Sequence, residues 1–310
     1  MSLIKKIESS IISENQLIIY FIGQSGYVVK IKDCIIYIDP YLTDYIENSA
    51  GLNEQHMRRN YPSPIDPELI IKCDAIICTH AHVDHMDPWT LSKIKTDFQL
   101  YTSIGAFEKS DVKISRSRLT FLYPGATYNL ESFKLTPYPA AHYELADDKG
   151  RPDCLSIHIQ WQNKSLFFWG DGIGYKRQYD LLSPVKFDYF FAPINGRDAK
   201  REKMGIIGNI KEYELAEFCN KLSINHIIPN HYDMFNNNTL KNTRYGIIIT
   251  SILSIIIVYN FKTAIDIWYI FGSIASSSLL IPFLLMIFKE KKRLSYPELC
   301  FLVRLSPIRL

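Results

Sequence analysis

Apolar runs of strand length recur at residues 17–22, 27–31, 35–38, 75–78, 98–102, 119–122, 133–138, 155–161, 165–169, 187–192 and 225–229. Each is short and bounded by turn-forming or charged residues, which argues for β-strands. The first two join at Gln24-Ser25-Gly26 and the next pair at Lys32-Asp33. Helical spacing appears at 3–13, where Leu3, Ile4, Ile7, Ile11 and Ile12 share one side, and at 211–222, where Leu215, Phe218 and Cys219 face inward. Residues 88–95 read as a third helix. Residues 42–66 are polar, contain Pro62 and Pro64, and read as an insertion or flap. Strands first, helices interspersed, then a second set of strands predicts a sheet-on-sheet sandwich with helices outside.

The pattern breaks after Asn236-Asn237-Asn238. Residues 247–259 are apolar apart from small hydroxyls, and 267–288 carry no charge, long enough for the ~20 residues that cross a bilayer core. Lys241 and Arg244 precede the first segment, and Lys289-Glu290-Lys291-Lys292-Arg293 follows the second. Basic flanks at both outer ends predict a two-helix hairpin touching a membrane through 245–288, with both ends and the main body on the cytoplasmic side. The competing readings are a buried helix pair, or a tail joined to the body by gene fusion or a frame change. The expected domains are therefore 1–238 and 239–310.

Composition narrows the picture modestly. A chain of 310 residues can bury one large core or two modest ones. The net charge of +3 gives no case for a nucleic-acid partner. The six cysteines, at 34, 73, 78, 154, 219 and 300, show no paired spacing, which suits buried thiols in a reducing compartment. Charge interrupts the apolar positions near Met1, so a signal peptide is not expected. Oligomeric state leaves no trace in the sequence.

The chemistry concentrates in Thr79-His80-Ala81-His82-Val83-Asp84-His85, directly after an apolar run. The chain has 8 His, and three of them fall here, so an ordinary polar loop is a poor explanation. Imidazole and carboxylate together suit zinc, iron or manganese. On a loop, His80 and His82 can splay around one ion while Asp84 and His85 serve another. Three further apolar runs end in a ligand type: His142 after 133–138, Asp171 in Phe168-Trp169-Gly170-Asp171-Gly172, and His231 in Pro229-Asn230-His231. A lone histidine is more often an ordinary core or surface residue; the repeated strand-then-ligand pattern reverses those odds.

This order, His-x-His-x-Asp-His, a lone His, Gly-Asp-Gly, and a final His, resembles the metallo-β-lactamase superfamily over about residues 15–236. Gly23-Gln24-Ser25-Gly26, Ile38-Asp39-Pro40 and Pro229-Asn230-His231-Tyr232-Asp233 are most similar to its L-ascorbate-6-phosphate lactonase branch. The resemblance implies an α+β fold of the αββα sandwich type and two divalent metal ions, zinc or manganese. It implies His80, His82 and His142 on the first metal, Asp84, His85 and His231 on the second, and Asp171 between them. Asp84 and Asp171 are then the catalytic carboxylates, with Asp84 a candidate proton acceptor. Asp39 is a candidate for holding the metal loop from behind, because ligating imidazoles need an acceptor for their other N–H.

The reaction expected is hydrolysis by a metal-activated water, opening the lactone of an anionic sugar acid. Asn195, Arg197 and Arg201 follow the run 187–192, and Arg58 lies in the flap with Arg59. Their guanidinium forks suit a phosphate or carboxylate, against the plainer reading of solvated surface charge. The alternatives are a membrane-associated phosphodiesterase or phospholipase of the same fold, and a non-catalytic membrane-tethered module. A flavodiiron-type redox protein would place Glu where His82 stands.

Overall fold

The computed structural model describes residues 2–49, 59–130, 132–142, 144–203, 205, 207–232 and 248–252. Contacts divide the chain into two units, Met1–Asn236 and Asn237–Leu310. Of the second unit only 248–252 is described, a helical stretch with Ile248, Ile249 and Ile252 exposed. Among the described residues no helix is long and apolar enough to cross a membrane. The rest of the hairpin expected at 245–288 lies outside them.

The first unit contains two six-stranded mixed sheets. Sheet one holds β1 (Leu17–Gly23), β2 (Gly26–Ile31), β3 (Cys34–Ile38), β4 (Ala75–Ile77), β5 (Gln99–Thr102) and β6 (Leu119–Phe121) in sequence order. Sheet two holds β7 (Tyr128–Asn129), β8 (Lys134–Pro139), β9 (Leu155–Trp161), β10 (Lys164–Phe168), β11 (Tyr189–Pro193) and β12 (Ile227–Asn230), also in order. The two are built alike. Antiparallel pairing joins β1 to β3 and β7 to β10, and parallel pairing adds β4–β6 and β11–β12.

Three apolar clusters define four layers. Between the sheets, Val29, Ile36, Ile38 and Ile77 pack with Leu135, Ile157, Leu166 and Phe168. On the outer face of sheet one, Val28, Tyr37, Ile76 and Leu100 pack under α1 (Leu3–Ser9), α3 (Pro88–Lys93) and α4 (Ile104–Lys109) through Ile4, Ile7, Leu91 and Ala106. On the outer face of sheet two, Phe167, Trp169 and Phe190 pack under α5 (Lys176–Leu182) and α7 (Glu212–Lys221) through Leu182, Leu215 and Cys219. Strands covered on both faces read as unbroken apolar runs rather than alternating ones. Every residue of β2 is buried.

The expected strands are present with small boundary shifts, β7 being the addition. The first helix stops at Ser9 instead of running to 13. Lys30, buried on β2, sends its ammonium to the carbonyls of Ile7 (2.7 Å), Glu8 (2.9 Å) and Ser10 (2.8 Å), which closes the helix end. The one-turn helices α2 (Tyr45–Ser49) and α6 (Ala199–Lys203), and the short α4 and α5, are too brief to leave a periodic signal. The described ends of the 42–66 insertion are anchored: Tyr41, Ile46 and Ile65 are buried, and Arg59 donates to the carbonyls of Tyr41 (2.7 Å) and Thr43 (3.3 Å).

Candidate metal centre

β3, β4, β8, β10, β11 and β12 release the chain at one edge of the sandwich, and each release point carries a polar side chain. Asp39 follows β3, the 79–85 loop follows β4, and His142 follows β8. Asp171 follows β10, Asn195 follows β11 and His231 follows β12. Asp171 is held by its glycines. A Cβ on Gly172 (φ +141°) would sit 2.4 Å from the Ala141 carbonyl oxygen, and one on Gly170 (φ +71°) 2.9 Å from that of Leu155. Only glycine permits this close approach of the turn to the segment after β8 and to the start of β9.

The side chains form two groups. His80, His82, His142 and Asp171 offer ligand atoms within 4.8 Å of one another, and so do Asp84, His85 and His231. Asp171 joins them, with Oδ1 3.4 Å from His85 Nε2 and Oδ2 3.1 Å from His231 Nε2. Asp84 Oδ2 lies 3.6 Å from His85 Nε2 and 3.5 Å from His231 Nε2. His80 Nε2, His85 Nε2 and Asp171 Oδ1 are buried without a hydrogen-bond partner among the described residues. Buried polar atoms are rarely left so. Convergent lone pairs of imidazole and carboxylate are the donor set a divalent cation requires, so these residues fit a metal.

Behind the ligands lies a supporting layer. Asp39, buried and at φ +45°, accepts from the Thr79 N–H (2.7 Å) with one oxygen. Its other oxygen takes the Thr79 hydroxyl (2.7 Å) and His85 Nδ1 (2.8 Å). The Thr79 hydroxyl also meets His80 Nδ1 at 3.0 Å. On the other sheet, Gly172 N–H donates to Asn209 Oδ1 (2.7 Å) and Asn209 Nδ2 donates to Asn195 Oδ1 (3.0 Å). Asn195 Nδ2 meets His231 Nδ1 at 3.0 Å. Gln24, buried in the β1–β2 turn at φ +61°, donates to Asp84 Oδ2 (2.6 Å).

Electrostatics follow from this packing. Burial pushes the pKa of His80 well down and that of His142 down to about 4, keeping both imidazoles neutral and available as ligands. Burial alone would favour neutral Asp84, but His85 and His231 outweigh it and hold the carboxyl well below its usual range. Burial likewise opposes ionised Asp171, and His231 and His85 overcome it. For His231 burial disfavours charge, but Asp171 and Asp84 outweigh it and raise its pKa to about 9.

A cavity of about 710 Å³ opens onto His80, His82 and His142. Its far wall comes from α4 and the 144–153 loop. Arg151 grips Glu108 with two N–H groups (3.0 and 2.8 Å) and Asp147 with two more (3.0 and 2.7 Å), and Lys109 pairs with Asp153. The arginines expected to bind substrate sit elsewhere. Arg197 is held by Glu214 (2.7 Å to each oxygen) and the Asn209 carbonyl (3.2 Å), bracing α7. Arg201 is held by Asp198 (2.5 Å) and the Asn195 carbonyl (2.8 Å). Neither lines the cavity, and Asn195 serves His231. Arg58 lies outside the described residues. Gln24, Thr79, Asn209 and the Glu108–Arg151–Asp147 cluster were not singled out as site residues. Gln24 offered a signal, a polar residue between two apolar strands; Asn209 offered none.

A mixed-sheet αββα sandwich with a His/Asp centre at one strand edge defines a metallo-β-lactamase fold. The chain matches the beta-lactamase superfamily domain over residues 35–232, more than half its length, and belongs to that family. No curated protein matches it. Among solved structures, it is similar to a protein from Veillonella parvula described as a metal-dependent hydrolase (14% identity, TM-score 0.55, 71% of this chain and 87% of that one). A protein from Parabacteroides distasonis, also described as a metal-dependent hydrolase, shares 20% identity (TM-score 0.51, 70% and 82%). CmlA, a diiron beta-hydroxylase from Streptomyces venezuelae, shares 14% (TM-score 0.50, 71% and 45%). At these identities the likeness establishes the fold alone.

Proposed function

We propose that this chain is a metal-dependent hydrolase that opens a lactone or carboxylic ester of a small polar molecule, with zinc or manganese as the cofactor. The observation that carries this reading is the set of buried, hydrogen-bond-free ligand atoms on His80, His85 and Asp171 beneath a cavity of small-molecule size. Divalent cations held there would supply an acidified water and an electrophile for a developing oxyanion. The chain's own groups do the rest. His80, His82, His142 and Asp171 would hold a cation beside the cavity; Asp84, kept ionised by its imidazole neighbours, can take up the proton of the attacking water. Asp39 and Thr79 fix the rings of His85 and His80.

The cavity wall bears on the substrate. Lys109, Lys149 and Arg151 line it, but Glu108, Asp147 and Asp153 already pair with them, and Asp148 adds a further carboxylate. Such a wall disfavours a phosphodiester polyanion and suits a small lactone. A sugar-acid lactone of the ascorbate-6-phosphate type, suggested by the sequence resemblance, would have to draw Lys109, Lys149 or Arg151 from these carboxylates to pair its anionic group, since Arg197 and Arg201 lie outside the cavity.

The test is metal analysis of the purified full chain, followed by assays on lactones, carboxylic esters and phosphodiesters. The expected result is bound divalent metal and lactone or ester hydrolysis that is lost on chelation and in His80→Ala and Asp171→Ala. Full activity in metal-free protein overturns the reading.

A further inference from the structure

The charged wall of the cavity is not evenly balanced. Five carboxylates line it, on Glu108, Glu144, Asp147, Asp148 and Asp153, against three basic side chains, Lys109, Lys149 and Arg151. Every basic group already has a carboxylate partner. Arg151 makes four hydrogen bonds to Glu108 and Asp147, which occupies most of a fork of five N–H donors. Lys109 pairs with Asp153, and Lys149 lies 3.5 Å from Glu108. The loop fixes this arrangement from within. Asp147 Oδ1 also accepts from the backbone N–H of Lys149 (2.9 Å) and of Arg151 (2.8 Å), so its carboxylate cannot leave Arg151 without opening the turn. These pairs are a preset part of the wall and not groups held ready for an anion.

Glu144 and Asp148 are what remains. Both are exposed, both line the cavity, and neither carboxylate makes a hydrogen bond or ion pair among the described residues. Glu144 sits next to the floor, its backbone bridged to that of His142. The floor points to a ligand independently. His80 lines the same cavity, is 2% exposed, and its Nε2 has no hydrogen-bond partner among the described residues. A molecule bound there meets two bare carboxylates. A negative group on it would be repelled by them and would find the basic side chains taken; a positive group would pair with them.

We infer that the substrate carries a cationic group, an ammonium or guanidinium, which Glu144 and Asp148 receive while the carbonyl to be cleaved lies at His80, His82 and His142. This rests on the hydrolase reading of the centre and narrows its small polar molecule to a positively charged lactone or ester.

The test compares three p-nitrophenyl esters of similar length on the full chain supplied with zinc. They are the esters of 6-aminohexanoate and heptanoate and the monoester of pimelate, which end in an ammonium, a methyl and a carboxylate. The three free acids are titrated into the same protein by calorimetry, a readout that needs no turnover. We expect kcat/KM and affinity to fall in the order ammonium, methyl, carboxylate, with the first two at least about twofold apart. Glu144→Gln and Asp148→Asn should each reduce the ammonium-to-methyl ratio roughly 1.5–5-fold, the range for a solvent-exposed pair. Salt at about 1 M, which screens charges beyond ~3 Å, should flatten the order. Both positions are exposed, so neither substitution removes a packed side chain. A flat or reversed order at low salt, or a ratio that survives both substitutions together, overturns the inference. If no ester is cleaved the functional reading fails, and the order of free-acid affinities decides this inference separately. Cleavage without any preference for charge spares the former and refutes the latter.

Discussion

Asp39→Asn isolates the support behind the metal loop, because the two side chains have the same shape and asparagine tolerates the observed φ of +45°. The remaining Oδ1 can still accept from the Thr79 N–H. The new amide nitrogen then faces two groups that now donate to Asp39 Oδ2, the Thr79 hydroxyl at 2.7 Å and His85 Nδ1 at 2.8 Å. Donor meets donor at both contacts. The hydroxyl can turn to accept from the new amide, although its own proton then faces the N–H at His80 Nδ1, but His85 can adapt only by becoming an acceptor at Nδ1 and moving its proton to Nε2. That is the tautomer unfit to bind a cation. Losing two buried bonds to a charged acceptor, one partly recovered, should cost roughly 2–4 kcal/mol. Urea unfolding of the metal-free proteins measures it. Metal affinity should fall roughly 10–100-fold, about 1.4–2.7 kcal/mol, read by zinc calorimetry. A variant whose stability and zinc affinity both match the wild type would show that Asp39 does not orient His85.

Two other predictions concern the scaffold. Lys30→Met should fill the same space while deserting the carbonyls of Ile7, Glu8 and Ser10; a loss of about 1.5–3 kcal/mol is expected in urea unfolding, and an unchanged midpoint would mean that α1 closes without it. The Arg151 guanidinium holds the Asp147 carboxyl down to about 2, from an ordinary value of 3.8. A depressed acid stabilises the fold fully above its unfolded pKa and loses that contribution as pH falls from about 4 to about 2. Asp147→Asn should therefore lower the melting temperature at pH 6 and leave it near the wild type at the acid end; an equal deficit at every pH would remove the ion pair as its cause.

Much of this organisation was readable from residue order because it is local. Strands covered on both faces leave unbroken apolar runs, and the 79–85 cluster is contiguous. His142, Asp171 and His231 could be added since each ends such a run. What escaped is what depends on distant partners. Helix α1 ends early because of Lys30, far along the chain. Asn195 and Arg197 sit where a substrate-facing pair would, yet Asn209 and Glu214 draw them into support. No spacing rule links 195 to 209 and 231.

The same division separates the reaction class from the substrate. The floor of the site is fixed by strand register: once β3, β4, β8, β10 and β12 pair in order, their ends must converge, and the ligand types there determine what chemistry a cation can supply. The wall opposite is not a strand end. It is the 144–153 loop pinned to α4 by Arg151, Glu108, Asp147, Lys109 and Asp153, a set of ion pairs across some forty residues that fold geometry does not require. The floor can therefore stay constant while exchanges in the wall alter which molecule is admitted. Glu108→Gln follows directly: it frees part of the Arg151 fork toward the cavity without touching a ligand. It should lower KM for an anionic lactone and leave kcat and metal content as they were. A fall in kcat with KM unchanged would place the wall in the chemistry, and would remove the distinction drawn between floor and wall.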